Sequence, residues 1–298
     1  MHNRNALRKM LGSPQYVFHP TRALRRAARR PRGRLGPDGN LTVQLPWGPE
    51  LTVRSSEGNG LNIATGLVWD ACVSEVLYRM LDPGETALDI GANYGYMSSI
   101  LAQRAGSGGS VTAFEPHPAL FPVLRASAER WRADLRLAPV HVRPFALSRM
   151  AGTATLREPI AGNPGLATLE ATPGGPEAWD VELRRLDDVA PDGPIGVVKI
   201  DVEGHEHAVL EGAPGVLGRV RDVVLEEEGG ANAASLALLR DRGFSVFSLG
   251  NSLRGLIVAP AERPPRTGTF LGHSYLATRD LSRAAARLRS RGWTLPGL

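Results

Sequence analysis

Thr86-Ala-Leu-Asp-Ile-Gly-Ala-Asn-Tyr-Gly-Tyr96 joins a short apolar run to a glycine-bearing turn through an acidic residue. The run reads as a strand, and the turn opens a helix predicted over 94–105. In an open α/β sheet the first strand-to-helix turn is where nucleotide-like ligands sit. Gly91 and Gly95 let the backbone approach a ligand closely and adopt φ angles that other residues avoid. The first N–H groups of the helix favour an anionic group. The spacing departs from the dinucleotide pattern G-x-G-x-x-G, because Asn93 stands where the second glycine belongs. Its Cβ would crowd a pyrophosphate, which argues against a nicotinamide dehydrogenase. Asp89, two residues before Gly91, is placed to pair with an ammonium group.

Ser110-Val-Thr-Ala-Phe-Glu115, followed by Pro116, reads as a second short strand ending in a carboxylate. A carboxylate at that strand tip, about 20 residues past the glycine turn, is placed to accept hydrogen bonds from ribose hydroxyls. Glu115 lies 20 residues after Gly95. A ligand with an ammonium and a carboxylate fits the pair of turns better than a pyrophosphate does. S-adenosylmethionine (SAM) carries both on its methionine end.

Around these runs strand and helix alternate. Strands are predicted at 86–90, 110–115, 140–145, 195–201, 221–227, 244–249 and 253–259, and helices at 94–105, 118–132, 205–217 and 232–242. This rhythm predicts an α/β fold with a doubly wound, mostly parallel sheet. Gly250-Asn251 reads as the turn joining the last two strands. Upstream, Leu41–Leu45 and Leu51–Arg54 alternate apolar and polar residues around Pro46-Trp-Gly-Pro49, which predicts a small hairpin. Asp70–Leu81 reads as a helix with Val73, Val76, Leu77 and Met80 on one face. Ser148–Ala178 interrupts the rhythm, with a strand at 152–157 and loops at 162–165 and 172–176. Such an insertion either shapes a substrate site on the ligand face or is a plain surface loop.

Asp89-Ile-Gly-Ala-Asn-Tyr-Gly-Tyr96, Phe114-Glu-Pro116 and Lys199-Ile-Asp-Val-Glu-Gly-His-Glu206 follow one another with Phe145-Ala-Leu-Ser148 and Leu186-Asp-Asp188 between them. In that order they resemble the FkbM-type family of SAM-dependent, class I methyltransferases. The resemblance covers roughly residues 66–259. It implies a seven-stranded Rossmann-like sheet with an antiparallel last strand, SAM as cofactor, and O-methylation of a hydroxyl on a natural product, sugar or glycolipid. It places cofactor contacts on Asp89, Gly91, Ala92, Asn93, Gly95, Tyr96, Glu115, Pro116, Ala146 and Asp201. Tyr94 departs from the commoner aliphatic residue at this turn. The resemblance demands no metal.

Methyl transfer from a sulfonium asks the protein chiefly for alignment and exclusion of water. An aliphatic hydroxyl must also lose a proton, so a base belongs nearby. The 197–206 segment offers three candidates: Asp201, Glu203 and His205. A buried strand delivers Asp201 to its carboxyl end, where ligands bind in open sheets. While the chain stays extended, Asp201 and Glu203 share a side. One can hold the SAM ammonium and the other act on the acceptor hydroxyl. His205 titrates near neutrality and is the alternative base. The structural role open to both carboxylates is capping of the next helix. Lys199, alone in an apolar strand, reads as half of an ion pair. Glu226, Glu227 and Glu228 with Asp201 are the oxygen set a hard metal would take.

The 298 residues, 42% hydrophobic, hold one large domain with appendages or two small ones. The divisions read as a basic arm at 1–37, a hairpin extension at 38–65, the methyltransferase domain at 66–278 and a basic helical tail at 279–298. One cysteine, Cys72, excludes an internal disulfide framework and a Cys-rich zinc site, and makes the cytoplasm the expected compartment. No apolar stretch approaches the roughly 18 residues of a membrane span, and the N-terminus does not read as a signal peptide. The net charge of +5 is uneven: residues 1–34 hold ten Arg and Lys and no acid, so the rest is −5. A basic arm can bind nucleic acid or an anionic surface. This one lacks the interleaved aromatics that stack bases. The expected partner is a small-molecule or glycan hydroxyl acceptor, with peripheral membrane contact through the basic termini as a further option. The basic amphipathic segment Asp280–Arg291 is expected to dock on the acidic body. Two alternatives keep the fold: a nucleic-acid or protein substrate recruited by the arm, and a non-catalytic scaffold, against which Asp89, Glu115 and Asp201 argue.

Overall fold

The 86–90 run is a strand near the middle of an eight-stranded sheet. The structure, a computed structural model, describes residues 17–28, 33–36, 39–54, 58–160, 163–170, 177–263, 270–289 and 291–298. Most of the basic arm and the expected loop at 172–176 lie outside the described residues.

The chain begins with helix α1 (Pro20–Ala27) and a three-stranded antiparallel sheet, β1 (Arg34–Leu35), β2 (Asn40–Gln44) and β3 (Glu50–Arg54). The predicted hairpin is β2–β3. Its inward residues Leu41, Val43, Leu51 and Val53 are buried, and the next turn of chain adds Trp47. Helices α2 (Gly58–Gly66) and α3 (Ala71–Met80) follow. Asp70 caps α3 by accepting the Val73 N–H, as expected of an acid at that position.

The wound core then runs β4 (Thr86–Ile90), α4 (Tyr96–Ala105), β5 (Ser110–Phe114), α5 (Phe121–Trp131) and β6 (Val140–Arg143). An inserted three-stranded sheet comprises β7 (Ala146–Leu147), β8 (Gly152–Glu158) and β9 (Glu177–Arg184). The predicted strand at 152–157 is β8; its partner β9 was not expected from the sequence. The core resumes with α6 (Leu186–Val189), β10 (Ile195–Ile200), α7 (Glu206–Glu211), α8 (Pro214–Leu217), β11 (Val220–Glu226) and α9 (Ala234–Asp241). The single helix predicted over 205–217 is therefore two short ones. Pro214 cannot supply the N–H that would continue α7, and it starts α8 instead.

Strands β12 (Ser245–Ser252), β13 (Gly255–Pro260) and β14 (Phe270–Thr278) and helix α10 (Leu281–Leu288) complete the fold. The sheet order is β13-β12-β14-β11-β10-β4-β5-β6. Strands β6, β5, β4, β10 and β11 are mutually parallel, and β14 inserts antiparallel between β11 and β12. The doubly wound α/β class is the one expected, with an eighth strand added. Gly250-Asn251 is not a turn: β12 runs through it, and the reversal comes at Leu253-Arg254. The hairpin strand β13 is an edge, and the antiparallel last strand is 270–278. A Gly-Asn pair is a local signal, whereas β14 is defined by two non-local partners.

Because parallel strands are covered by helices on both faces, their residues are mostly apolar and alternate between two cores. Ala87, Val111, Val197 and Val224 face one core with α3 and α4, whereas Leu88, Phe114, Val198 and Leu225 face the other with α7 to α9. Helix α10 docks on the body: Arg283 pairs with Asp82 at 2.7 Å and with the fully buried Asp222 at 3.3 Å.

Candidate active site

The carboxyl ends of β5, β4, β10 and β11 lie side by side, and the turns that leave them line a cavity of about 1110 Å³. That exceeds the roughly 300–1,000 Å³ of an ordinary small-molecule site.

The first turn is knitted to β10. Gly91 has φ 74°, and a Cβ there would stand 1.8 Å from the Asp201 carbonyl oxygen. Only glycine permits the approach. The donors of this turn are consumed within the protein. Gly91 and Ala92 N–H both donate to the Phe114 carbonyl at 3.0 Å, Asn93 N–H to Glu115 Oε2 at 2.7 Å, and Gly95 N–H to the Ala92 carbonyl at 2.8 Å. Tyr94 N–H donates to Asn93 Oδ1 at 2.8 Å. The anion site expected of this turn is thus not supplied by residues 91–95. The turn offers the cavity the Ala92 methyl and the Asn93 side chain instead.

Glu115 is oriented by this turn and the next, since its Oε1 accepts the His117 N–H at 2.8 Å. Burial pushes its carboxyl up to about 7, against the pull of those two N–H groups. Phe114, Phe145, Ala146 and Leu147 form an apolar wall beside it.

Asp89 departs from expectation. It is fully buried, does not line the cavity, and accepts the Ser98 hydroxyl at 2.5 Å. The ammonium it meets belongs to Lys199, 3.4 Å away. Lys199 also lies 3.4 Å from Asp201 Oδ2 and donates to the Gly91 carbonyl at 2.8 Å. Burial works against its charge, but the Asp201 and Asp89 carboxylates outweigh burial and hold its pKa above the ordinary lysine value. The expected ion pair is therefore present, with Asp201, its side chain 38% exposed, as the open member facing the cavity. Gly95 also lies outside the lining: it has φ 87°, and an added Cβ would meet Leu124 of α5 at 2.4 Å.

Glu203 lines the cavity with Asp201, though not because the chain is extended. It occupies the left-handed region at φ 50°, within the turn into α7. Among the described residues no side chain caps α7; the turn before it is held by Glu206, whose Oε1 accepts the Val202 N–H at 3.1 Å and the Gly204 N–H at 3.3 Å. That leaves Asp201 and Glu203 to the cavity. Burial, then the charges of Asp201, Glu206 and Glu228, hold the Glu203 carboxyl up at about 7. Both ring nitrogens of His205 are engaged: Nε2 with Ser148 Oγ and Nδ1 with Glu170 Oε1, each at 2.9 Å. With neither nitrogen free, His205 is poorly arranged to take an acceptor proton.

The insertion covers this end. Pro164, Gly165, Leu166, Ala167 and Leu169 line the cavity, and the Thr168 hydroxyl donates to the Glu203 carbonyl at 2.7 Å. Of the remaining predicted residues, Tyr96 and Pro116 also line it. Sequence reading missed Asp70, Asn251 and Ser274 in the lining. Asp70 was legible only as the first residue of a helix, and Asn251 and Ser274 reach the site through β12 and β14. Glu226 and Glu228 line the cavity, but Glu227 turns toward Ser235 and the Gly229 N–H. Among the described residues no group of three or more acidic, His or Cys side chains is arranged to hold a metal ion.

A doubly wound sheet closed by antiparallel β14, with an oriented acid after β5 and another after β10 on one cavity, defines a class I SAM-dependent methyltransferase. The family model described as Methyltransferase FkbM domain matches residues 89–246. The chain belongs to the FkbM methyltransferase family, and SAM is its cofactor. It is 32% identical over 197 residues to 31-O-demethyl-FK506 methyltransferase FkbM of Streptomyces tacrolimicus, a match covering 56% of this chain and 75% of that one. It is 29% identical over 173 residues to hexuronic acid methyltransferase AglP of Haloferax volcanii, covering 56% of this chain and 66% of AglP. A solved structure of methyltransferase FkbM from Methylobacillus flagellatus is similar with a TM-score of 0.42 and 15% identity, over 73% of this chain and 52% of that one.

Proposed function

We propose that this chain methylates a hydroxyl oxygen of a natural product, sugar or glycolipid, with Glu203 as the base. The observation that carries this reading is the position of Glu203. It shares a cavity with Glu115 and Asp201, and its carboxyl titrates near neutrality, where a general base is most effective. The printed names of the two relatives, an O-demethyl-FK506 methyltransferase and a hexuronic acid methyltransferase, agree with a hydroxylated acceptor.

The lining fits SAM by its donor set. Glu115 would accept the ribose hydroxyls, the wall of Phe145, Ala146 and Leu147 would cover the base, and Asp201 would hold the ammonium. When bound, SAM supplies the electrophilic methyl group. The protein's own contribution is threefold. Lys199 holds the Asp201 carboxylate at 3.4 Å, the Gly91–Asp201 crossing fixes its backbone, and the 164–169 loop lines the Glu203 end of the cavity. Glu203 then accepts the proton of the acceptor hydroxyl as the oxygen becomes nucleophilic.

Calorimetric titration with SAM and with S-adenosylhomocysteine tests the cofactor site, and absence of binding by either defeats the reading. Glu203→Gln is expected to lower kcat by about 10²–10⁴-fold with cofactor affinity retained. An unchanged kcat would remove Glu203 as the base.

A further inference from the structure

The strand order puts Glu115 on one side of β4, and β11, β14 and β12 on the other. At that second end the lining is one-sided in charge. Asp70, Asp201, Glu203, Glu226 and Glu228 all face the cavity, and the lining cation among the described residues is Lys199, already shared with the buried Asp89. A second observation is independent of charge: Asn251 is 7% exposed, lines the same cavity, and its Oδ1 has no hydrogen-bond partner. A buried amide oxygen without a donor is costly unless a ligand brings one. Carboxylates and an unpartnered carbonyl oxygen ask for the same thing, a positively charged hydrogen-bond donor. SAM does not satisfy them all. Its own carboxylate offsets one of its two positive charges, and its ammonium is already assigned to Asp201 at β10.

We propose that the acceptor carries an ammonium group near the hydroxyl that is methylated, held between Glu226, Glu228 and Asn251 at the β11–β12 end of the cavity. The inference rests on the hydroxyl-methylation reading above and narrows its substrate class to amino alcohols such as amino sugars. An acceptor bearing a carboxylate at this position would meet like charge, which disfavours it as a partner. Burial and the neighbouring acids Asp201, Asp70 and Glu203 hold the Glu226 carboxyl up at about 8, the behaviour of a carboxylate lacking its counter-ion.

The test is calorimetric titration of the full chain, first with S-adenosylhomocysteine and then, once saturated, with D-glucosamine, N-acetyl-D-glucosamine, D-glucose and D-glucuronate. D-glucosamine is expected to bind at least about tenfold more tightly than the two neutral sugars, with D-glucuronate weakest. Glu226→Gln and Asn251→Leu, made separately, are each expected to cut that preference to about threefold or less. The inference is overturned by equal binding of D-glucosamine and D-glucose, by tighter binding of D-glucuronate, or by no D-glucosamine binding up to about 50 mM. A preference that survives both substitutions also overturns it. The first titration separates the two readings: homocysteine-cofactor binding without an amine preference removes this inference and leaves the methyltransferase reading standing.

Discussion

Lys199 and Asp89 are register partners on the adjacent parallel strands β10 and β4, and Lys199 Nζ lies 3.4 Å from Asp89 Oδ1 with both side chains buried. Removing one partner of such a pair strands a buried charge and costs about 3–5 kcal/mol, whereas replacing both with apolar groups is often near neutral. Lys199→Met and Asp89→Leu should each lower stability by that amount. The double substitution should recover most of the loss, because Asp201, the other carboxylate near Lys199, is open to the cavity. Urea denaturation of the four proteins gives the coupling directly. Additive losses in the double variant would show that the pair does not act as a unit.

Gly91 and Gly193 separate backbone strain from steric contact. Both have positive φ, 74° and 84°, but a Cβ at Gly91 meets the Asp201 carbonyl at 1.8 Å and one at Gly193 meets nothing within 4 Å. Gly193→Ala is expected to cost about 1 kcal/mol from conformation alone. Gly91→Ala should cost several kcal/mol more and weaken SAM binding, because the ends of β4 and β10 must separate. Thermal unfolding and calorimetric titration of both variants decide it. Equal losses would mean that the crossing is not sterically tight.

Much of the sheet could be read from local pattern: β4, β5, β10 and β11 are short apolar runs, and their carboxyl ends carry the turn at Gly91 and the acids Glu115, Asp201 and Glu226. What escaped the reading is set by tertiary partners. Strand β14 is a strand because β11 and β12 flank it, and Asn251 looked like a turn residue because Gly-Asn favours reversal when no third strand is present. Asp89 illustrates the same limit at the site. Its spacing from Gly91 suggested an ammonium partner, and it has one, but the partner is Lys199 from a strand more than a hundred residues away. Of the two carboxylates beside Lys199, the one that lines the cavity is Asp201. The spent N–H groups of residues 91–95 were likewise invisible to a pattern that counts glycines.

The acids of the cavity give stability a pH dependence of defined sign. The Glu226 carboxyl rises from 4.5 to about 8 on folding, so between those values the folded state binds more protons than the unfolded state. Stability must then fall as pH rises through that window. Glu203, raised from 4.5 to about 7, adds to the same slope over a shorter range. Glu226→Gln should therefore unfold at nearly the wild-type temperature at pH 4.5 and at a higher temperature at pH 8. A difference that does not grow with pH would show that Glu226 is not held in its neutral form.

The C-terminal tail should behave as part of the body. Glu75 of α3 is fully buried, and the tail supplies three of its hydrogen bonds: Thr294 N–H at 2.7 Å, the Thr294 hydroxyl at 2.6 Å and Leu295 N–H at 2.8 Å. Arg79, paired with Glu75 at 2.6 Å, in turn donates to the Gly292 carbonyl at 2.9 Å. Ending the chain after Arg279 removes these groups together with the Arg283 contacts to Asp82 and Asp222. A buried carboxylate that loses several donors costs on the order of 3 kcal/mol, which for a domain of this size lowers Tm by roughly 6–12 °C. Arg287→Ala, which removes an ion pair to the partly exposed Asp82 and a hydrogen bond to the Arg79 carbonyl, should cost about 1–2 kcal/mol. A shortened chain whose Tm stays within about 1 °C of the full chain would show that the tail does not stabilise the body. Its basic face would then be free to serve another surface.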